Sequence, residues 1–456
     1  MIRKDLSVPP KLSAIFGPSF ILLGLALGSG ELILWPYLSA NYGLGLIWGA
    51  VLGITFQFFL NLEIMRYSLV WGESVFLGFR RLWKGWPIWF ILSTFIPWSL
   101  PGFSSAAAEI IAHVFGLSDS LLLAIGLLLL TGLILTLGRT LYRTMELLQR
   151  GIIFLGLPLI LLLTLVLAGW GDWTSLTLGV LGIGNGWLLF PAGVSLISFL
   201  GAFAYSGAGG NLNLAQSYYV KEKGFGMGRY GGKISSLFVG GKQKMLLEGT
   251  TFVPNSKNLR RFHSWWRLLN WEHFLVFWGL GLLTIILLSV LATSLVFGQS
   301  VNQGISFLYQ EAIVIGSRLG SVLALFFLLV AALMLYSTQI GVLESSSRII
   351  SENWLLLSWW KGKRINASLG FYLALWGQIG LGIVLLLLGI KEPRFLLTLS
   401  AVLNAVAMMI LFPLVWFLNR KRLDQRLQAG WFRQLILLVA FIFFVGFCLL
   451  TLASVF

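Results

Sequence analysis

One cysteine stands in 456 residues, Cys448, inside the last apolar run. It has no disulfide partner and no companions for a thiolate metal site, so neither a disulfide framework nor a cysteine-held zinc is expected. Histidine is almost as scarce, with His113, His263 and His273 at the ends of apolar runs or in a loop. Each is read as structural rather than as a proton relay. Charge is thin as well, at 11% of residues, and 32 Lys and Arg outnumber 16 Asp and Glu. No Ser-His-Asp set, zinc spacing or phosphate loop appears, which argues against an enzyme and an ATP-driven pump, and nothing calls for a cofactor. Gly226, Gly228 and Gly231 satisfy G-x-G-x-x-G, but no strand precedes them and nucleotide binding is not expected.

What the chain has is apolar sequence, 58% of it hydrophobic. Runs of about 20 apolar residues cross a hydrocarbon core of about 30 Å. They fall near 13–35, 44–66, 87–112, 119–137, 151–170, 187–219, 274–297, 320–341, 369–390, 395–418 and 433–455, which makes eleven spans. A single transmembrane domain over 1–456 is expected, with the basic start followed by too long a run for a removable signal peptide. With the N-terminus cytoplasmic, 29 of the 32 Lys and Arg lie in inside segments and only Arg318, Lys391 and Arg394 outside. The positive-inside rule therefore predicts a multi-pass cell-membrane protein with a cytoplasmic amino end and an extracytoplasmic carboxyl end. The basic residues form no aromatic-interleaved face, so the lipid bilayer and not nucleic acid is the expected partner. The segment 220–273 reads as a cytoplasmic loop, with its RFHSWWRLLNWEHF stretch an amphipathic helix on the inner leaflet. Tryptophans such as Trp83, Trp86, Trp89, Trp265 and Trp266 read as interface anchors.

Two spans are interrupted. Gly28, Ser29 and Gly30 precede Glu31 in span one, and Ser206, Gly207, Ala208, Gly209, Gly210 and Asn211 break span six in FAYSGAGGNLNLAQSYY. Glycine costs about 1 kcal/mol per helix-interior site, so several together make unwinding cheap. Breaks at matching places of a five-plus-five arrangement point to an inverted repeat with a midplane site. The repeats are 13–170 and 187–418, and 433–455 is an extra helix. Unwound backbone at membrane depth needs something to satisfy it. Glu31 beside one break and Asn211 beside the other supply a carboxylate and an amide oxygen, a pair suited to a metal cation.

These residues, with FGPSFILLGLALGSGE, EIMRYSLVWGESVFLGF, SGAGGNLNLAQSYYVKEKGFGMG, QIGVLESSSRIISENW and SAVLNAVAMMILFPLVWFLNRK, resemble the divergent Nramp-related branches of the divalent-metal transporter family. The resemblance covers about residues 13 to 422. It implies an all-α polytopic membrane protein of LeuT-type fold, with ten core helices in two inverted repeats and an eleventh helix. The family's Asp-Pro-Gly-Asn motif in span one and Met-Pro-His motif in span six are both absent. The chain has Gly28-Ser29-Gly30-Glu31 and Ser206 through Asn211 in their places. Loss of the soft thioether favours a hard ion, Mg²⁺ or Mn²⁺. The expected substrate-binding set is Glu31, Ser29, Gly28, Ser206, Ala208, Asn211, Asn404 and Gln339, with Glu31 and Asn211 as metal ligands.

Glu109 in span three is a relay or vestibule charge, or else an interface residue. Glu63 with Arg66, and Glu344 with Arg348, stand at ion-pair spacings on their helices; the first reads as structural and the second as a helix-surface pair. The leading expectation is a secondary transporter of a divalent cation working by alternating access between unwound spans one and six. The alternatives are a cation-coupled symporter of a small organic solute, and a non-transporting receptor or scaffold.

Overall fold

Apolar side chains and a backbone that must bond to itself in lipid leave the helix as the natural element for each run. The computed structural model describes residues 3–10, 15–137, 141–231, 248–299, 304–359 and 367–453, without the side chains of 29, 141–144, 358, 359 and 367. Among these residues the only β pairings are two isolated bridges, Arg3 with Thr251 and Ile183 with Leu188. Eight helices are long and apolar enough to cross a membrane: Pro18–Tyr42, Leu44–Trp71, Met145–Leu167, Ser256–Val296, Ser321–Leu357, Ser368–Leu387, Pro393–Arg422 and Trp431–Ala453. The three remaining expected spans are the shorter Leu121–Leu137 and two interrupted ones.

Span three is interrupted where no break was expected, running as Trp86–Trp98 and Gly102–Phe115. Pro97 and Pro101 explain it, since proline removes a helix donor and disfavours helical backbone before it. The Pro97 carbonyl is met by the Ser400 hydroxyl at 2.7 Å. Span six runs as Leu196–Ala204, then a tight Gly210–Ala215 turn, then Gln216–Lys223.

Span one sits at the centre. Its first half packs on span five, its middle on span eight and its second half on span seven. The first half of span six packs on span ten, and its last turns pack on span two. Span eleven lays Phe443 and Phe444 against Phe203 of span six, the former ring stacked at 4.3 Å.

The expected inner-leaflet helix is different in the structure. Ser256–His273 leads through a π-helical Phe274–Leu280 into Gly281–Val296, so span seven starts well inside the segment read as a loop. Residues 232–247 of that segment lie outside the described set. The apolar face of Ser256–His273 is covered by protein: Trp265 is buried and donates to the Ser7 carbonyl at 2.8 Å. Trp266 lies under the guanidinium groups of Arg66 and Arg433. Trp265 is therefore a core residue rather than an interface anchor, whereas Trp266 is part-buried and Trp83 is 59% exposed.

Candidate functional site

Span one does not unwind. Leu27–Leu34 is a π-helix, and its backbone stays bonded through i→i+5 pairs such as the Trp35 N–H to the Gly30 carbonyl. The expected unwound segment is thus a widened but continuous helix, because one wider turn absorbs the strain and leaves few groups orphaned. The glycines serve close approach. A Cβ at Gly28 would lie 2.6 Å from Thr338 Oγ1 of span eight, and one at Gly30 only 1.7 Å from the Tyr205 carbonyl oxygen of span six. The Gly28 N–H donates to Thr338 Oγ1 at 3.0 Å. The side chain of Ser29 lies outside the described residues.

The widened turn turns Glu31 inward. Its side chain is fully buried, and neither carboxylate oxygen has a hydrogen-bond partner among the described residues. A Cβ at Gly281 would lie 3.4 Å from its Oε1, with Ile54 and Leu23 methyls closer still. The Thr284 hydroxyl stands beside it and donates to the Leu280 carbonyl at 2.8 Å. Glu31 therefore faces span seven.

Span six is truly unwound. Gly209 and Gly210 adopt φ of +74° and +50°, a backbone that side chains rarely tolerate. The freed groups are taken by Gln57 of span two: its Nε2 donates to the Ala204 carbonyl at 3.1 Å, and its Oε1 accepts from the Gly209 N–H at 3.1 Å. Sequence reading missed Gln57, a buried polar residue in a long apolar helix, which was the one available signal. Ser206 accepts from Trp35 Nε1 at 3.0 Å and donates to the Ala202 carbonyl, while Ala208 is buried.

Asn211 turns the other way, its Nδ2 donating to Ser93 and Thr94 of span three at 2.8 and 2.9 Å. Asn404 of span ten uses its Nδ2 on Tyr205 Oη and the Ser400 carbonyl, and its oxygen presses on Gly210, where a Cβ would be 1.8 Å away. Both amide oxygens are buried without a partner among the described residues. Gln339 accepts from the Ser104 N–H at 3.2 Å, where the second half of span three begins. Trp98 stacks on Tyr205 at 5.4 Å beside the break. Glu31 and Asn211 thus have different neighbours in this conformation, span seven for one and span three for the other. Among the described residues no group of three or more His, Cys, Asp and Glu is placed to hold a metal ion.

Glu109 is part-buried within electrostatic reach of Lys391, Glu392 and Tyr309, and His113 stacks on Tyr309 at 4.1 Å. Nearby, a hydrogen bond from Lys391 holds the exposed Asp119 carboxyl below its ordinary range.

The opposite end of the bundle holds buried charge that the sequence did not disclose. The Glu344–Arg348 pair forms, but it is fully buried rather than on a helix surface, and Glu222 of span six closes on the same guanidinium. Glu352 accepts from Ser74, and Glu73 binds Arg81 and accepts from Tyr67 at 2.7 Å. Glu63 and Arg66 pair at 2.8 Å as expected, joined by Asn419. Glu272 caps the start of span one: its Oε1 accepts from the Ser19 N–H at 3.2 Å and its Oε2 from the Ser19 hydroxyl at 2.5 Å. His273 is buried, 2.7 Å from that hydroxyl, and stacked between Phe58 and Phe277.

A π-widened first helix beside an unwound sixth, within a bundle of this connectivity, defines an all-α polytopic membrane protein of the LeuT-type fold. Solved structures bear this out. A manganese transporter of Eremococcus coleocola superposes with a TM-score of 0.72 at 14% identity, covering 99% of this chain and 90% of that one. A nucleobase-cation-symport-1 family transporter, closed with bromovinylhydantoin bound, gives 0.52 at 13% identity over 98% and 95% of the two chains. MhsT in complex with L-phenylalanine gives 0.51 at 13% identity over the full length of both. No family model matches the chain, and no curated protein matches it in sequence.

Proposed function

We propose that this protein is a secondary transporter that moves a hard divalent cation, Mg²⁺ or Mn²⁺, across the cell membrane by alternating access around spans one and six. One observation carries the reading: Glu31 is a fully buried carboxylate with no hydrogen-bond partner among the described residues, beside the helix interruptions. Intramembrane acids are costly and are retained mainly where a cation or proton uses them. Glu31 supplies the charge. The oxygens of Asn211 and Asn404 become ligands in a conformation that turns them toward Glu31, and the remaining positions are water, which suits an ion that dehydrates reluctantly. With no thioether at the break, the set is hard throughout. The solved manganese transporter of this fold supports a metal as cargo. In this reading the amino end is cytoplasmic, and the Glu222–Arg348–Glu344 cluster closes the cytoplasmic side.

A second reading, symport of a small organic solute, draws on the stacked Trp98 and Tyr205 rings at the span-six break, a surface suited to a planar molecule. Uptake by purified protein in liposomes separates the two. Mg²⁺ or Mn²⁺ enters with the wild type and the rate falls to the protein-free background with Glu31→Gln. Absence of divalent flux, or an unchanged rate in the variant, overturns the metal reading.

A further inference from the structure

Span two carries Gln57, Asn61 and Met65 at intervals of four, hence on one helix face. That face meets the unwound part of span six. Its two ends are pinned: Asn213 Nδ2 donates to Gln57 Oε1 at 3.2 Å, and Gln216 Nε2 lies 3.3 Å from Met65 Sδ. Asn61 falls between these points. It is fully buried, and neither its Oδ1 nor its Nδ2 has a hydrogen-bond partner among the described residues. The side-chain oxygens of Asn213 and Gln216 are likewise buried and unpartnered there, although the amino group of each is engaged. A carboxamide whose donors are used and whose oxygen is free presents only its electronegative end. Asn213 and Gln216 present two such oxygens in one buried seam, and Asn61, with neither end of its amide engaged, adds a third oxygen between them.

We propose that this seam binds a monovalent cation of the sodium class, ligated by the side-chain oxygens of Asn61, Asn213 and Gln216. Amide oxygens are hard donors suited to hard ions. No carboxylate is among these donors, and the desolvation cost of a buried ion rises steeply with its charge, so a neutral set holds one charge where it fails to hold two. The seam is distinct from the Glu31 position: Ile54, which touches the same glycine as Glu31, lies seven residues before Asn61, about 10 Å along the helix. A cation here ties the unwound segment of span six to span two. Its binding then favours whichever conformation brings those oxygens together.

The test uses the full-length protein in lipid nanodiscs, titrated with NaCl against choline chloride at constant total salt. Thermal unfolding is followed by tryptophan fluorescence, with ²²Na⁺ binding measured by equilibrium dialysis. The wild type is expected to bind ²²Na⁺ saturably and to unfold at a higher temperature as Na⁺ replaces choline. Asn61→Ala and Gln216→Ala weaken both responses by at least about tenfold, the loss of one ligand to a buried ion. Asn61→Asp, which keeps the shape, tightens Na⁺ by about tenfold through its added charge, and serves if the alanine variants do not fold. Glu31→Gln keeps the Na⁺ response even where it abolishes divalent uptake, so failure of this site and failure of the metal reading are distinguishable. No saturable ²²Na⁺ binding by the wild type means that water alone fills the seam and overturns the proposal. Wild-type affinity in Asn61→Ala and Asn61→Asp, or displacement of Na⁺ by micromolar Mg²⁺ in Glu31→Gln, overturns it equally.

Discussion

Spans one and six are interrupted by similar residues, small and glycine-rich, yet they solve the backbone problem in opposite ways. Span one keeps its backbone bonded within its own helix by widening to a π turn, with only Thr338 of span eight meeting the Gly28 N–H from outside. Span six breaks outright at glycines with positive φ and relies on a side chain from another helix, Gln57, to satisfy what it freed. The difference follows from glycine placement. Two glycines flanking one serine permit a bulge, whereas three glycines in Gly207–Gly210, set around one alanine, leave too little helix propensity to resume. Span one is therefore self-sufficient and spends its small residues on close contact, while span six is held open by its neighbours.

Removing the neighbour is the harshest way to break this contrast. Gln57→Leu leaves the Ala204 carbonyl and the Gly209 N–H buried without their partner, at about 1–3 kcal/mol for each group. Amide exchange across 204–213 should quicken while that across 27–35 is unchanged; equal quickening in both would show that the two breaks share one support. Gly30→Ala comes next. Its new methyl meets the Tyr205 carbonyl, a backbone atom that cannot rotate away. Overpacking of this kind costs about 1–3 kcal/mol. The loss should appear as a lower unfolding temperature in nanodiscs, and a neutral result would mean that spans one and six are farther apart than the structure has them.

How much of this was legible in the sequence depends on the kind of signal. The apolar runs fixed the helices because a membrane core allows almost nothing else, and the glycine clusters marked both breaks. They did not tell a π turn from an unwound segment, since that choice depends on what stands across the gap. The Pro97 and Pro101 pair in FIPWSLPGF was a readable sign of a break in span three that length alone obscured. Depth was the least legible quantity. Glu344 and Arg348 stand at a spacing common on exposed helix surfaces, and only Glu222 arriving from span six shows that the pair is interior. Glu31 was identifiable as a membrane acid, but what it lies against, Gly281 of span seven, is set by tertiary packing that the sequence does not display.

The mildest substitution sharpens the comparison most. Thr338 of span eight receives the Gly28 N–H and donates to the Gly24 carbonyl at 2.9 Å, bracing the entry to the π turn from outside. If span one is self-sufficient, this brace is secondary. Thr338→Val preserves shape while removing both bonds, and a neutral hydrogen bond contributes about 1 kcal/mol net. The expected result is a small fall in unfolding temperature with exchange in 27–35 still slow, in contrast to the opening that Gln57→Leu causes in span six. Rapid exchange across 27–35 in Thr338→Val would instead mean that span eight holds the π turn in place as firmly as span two holds the break in span six, and the two interruptions would then be alike in depending on a neighbour.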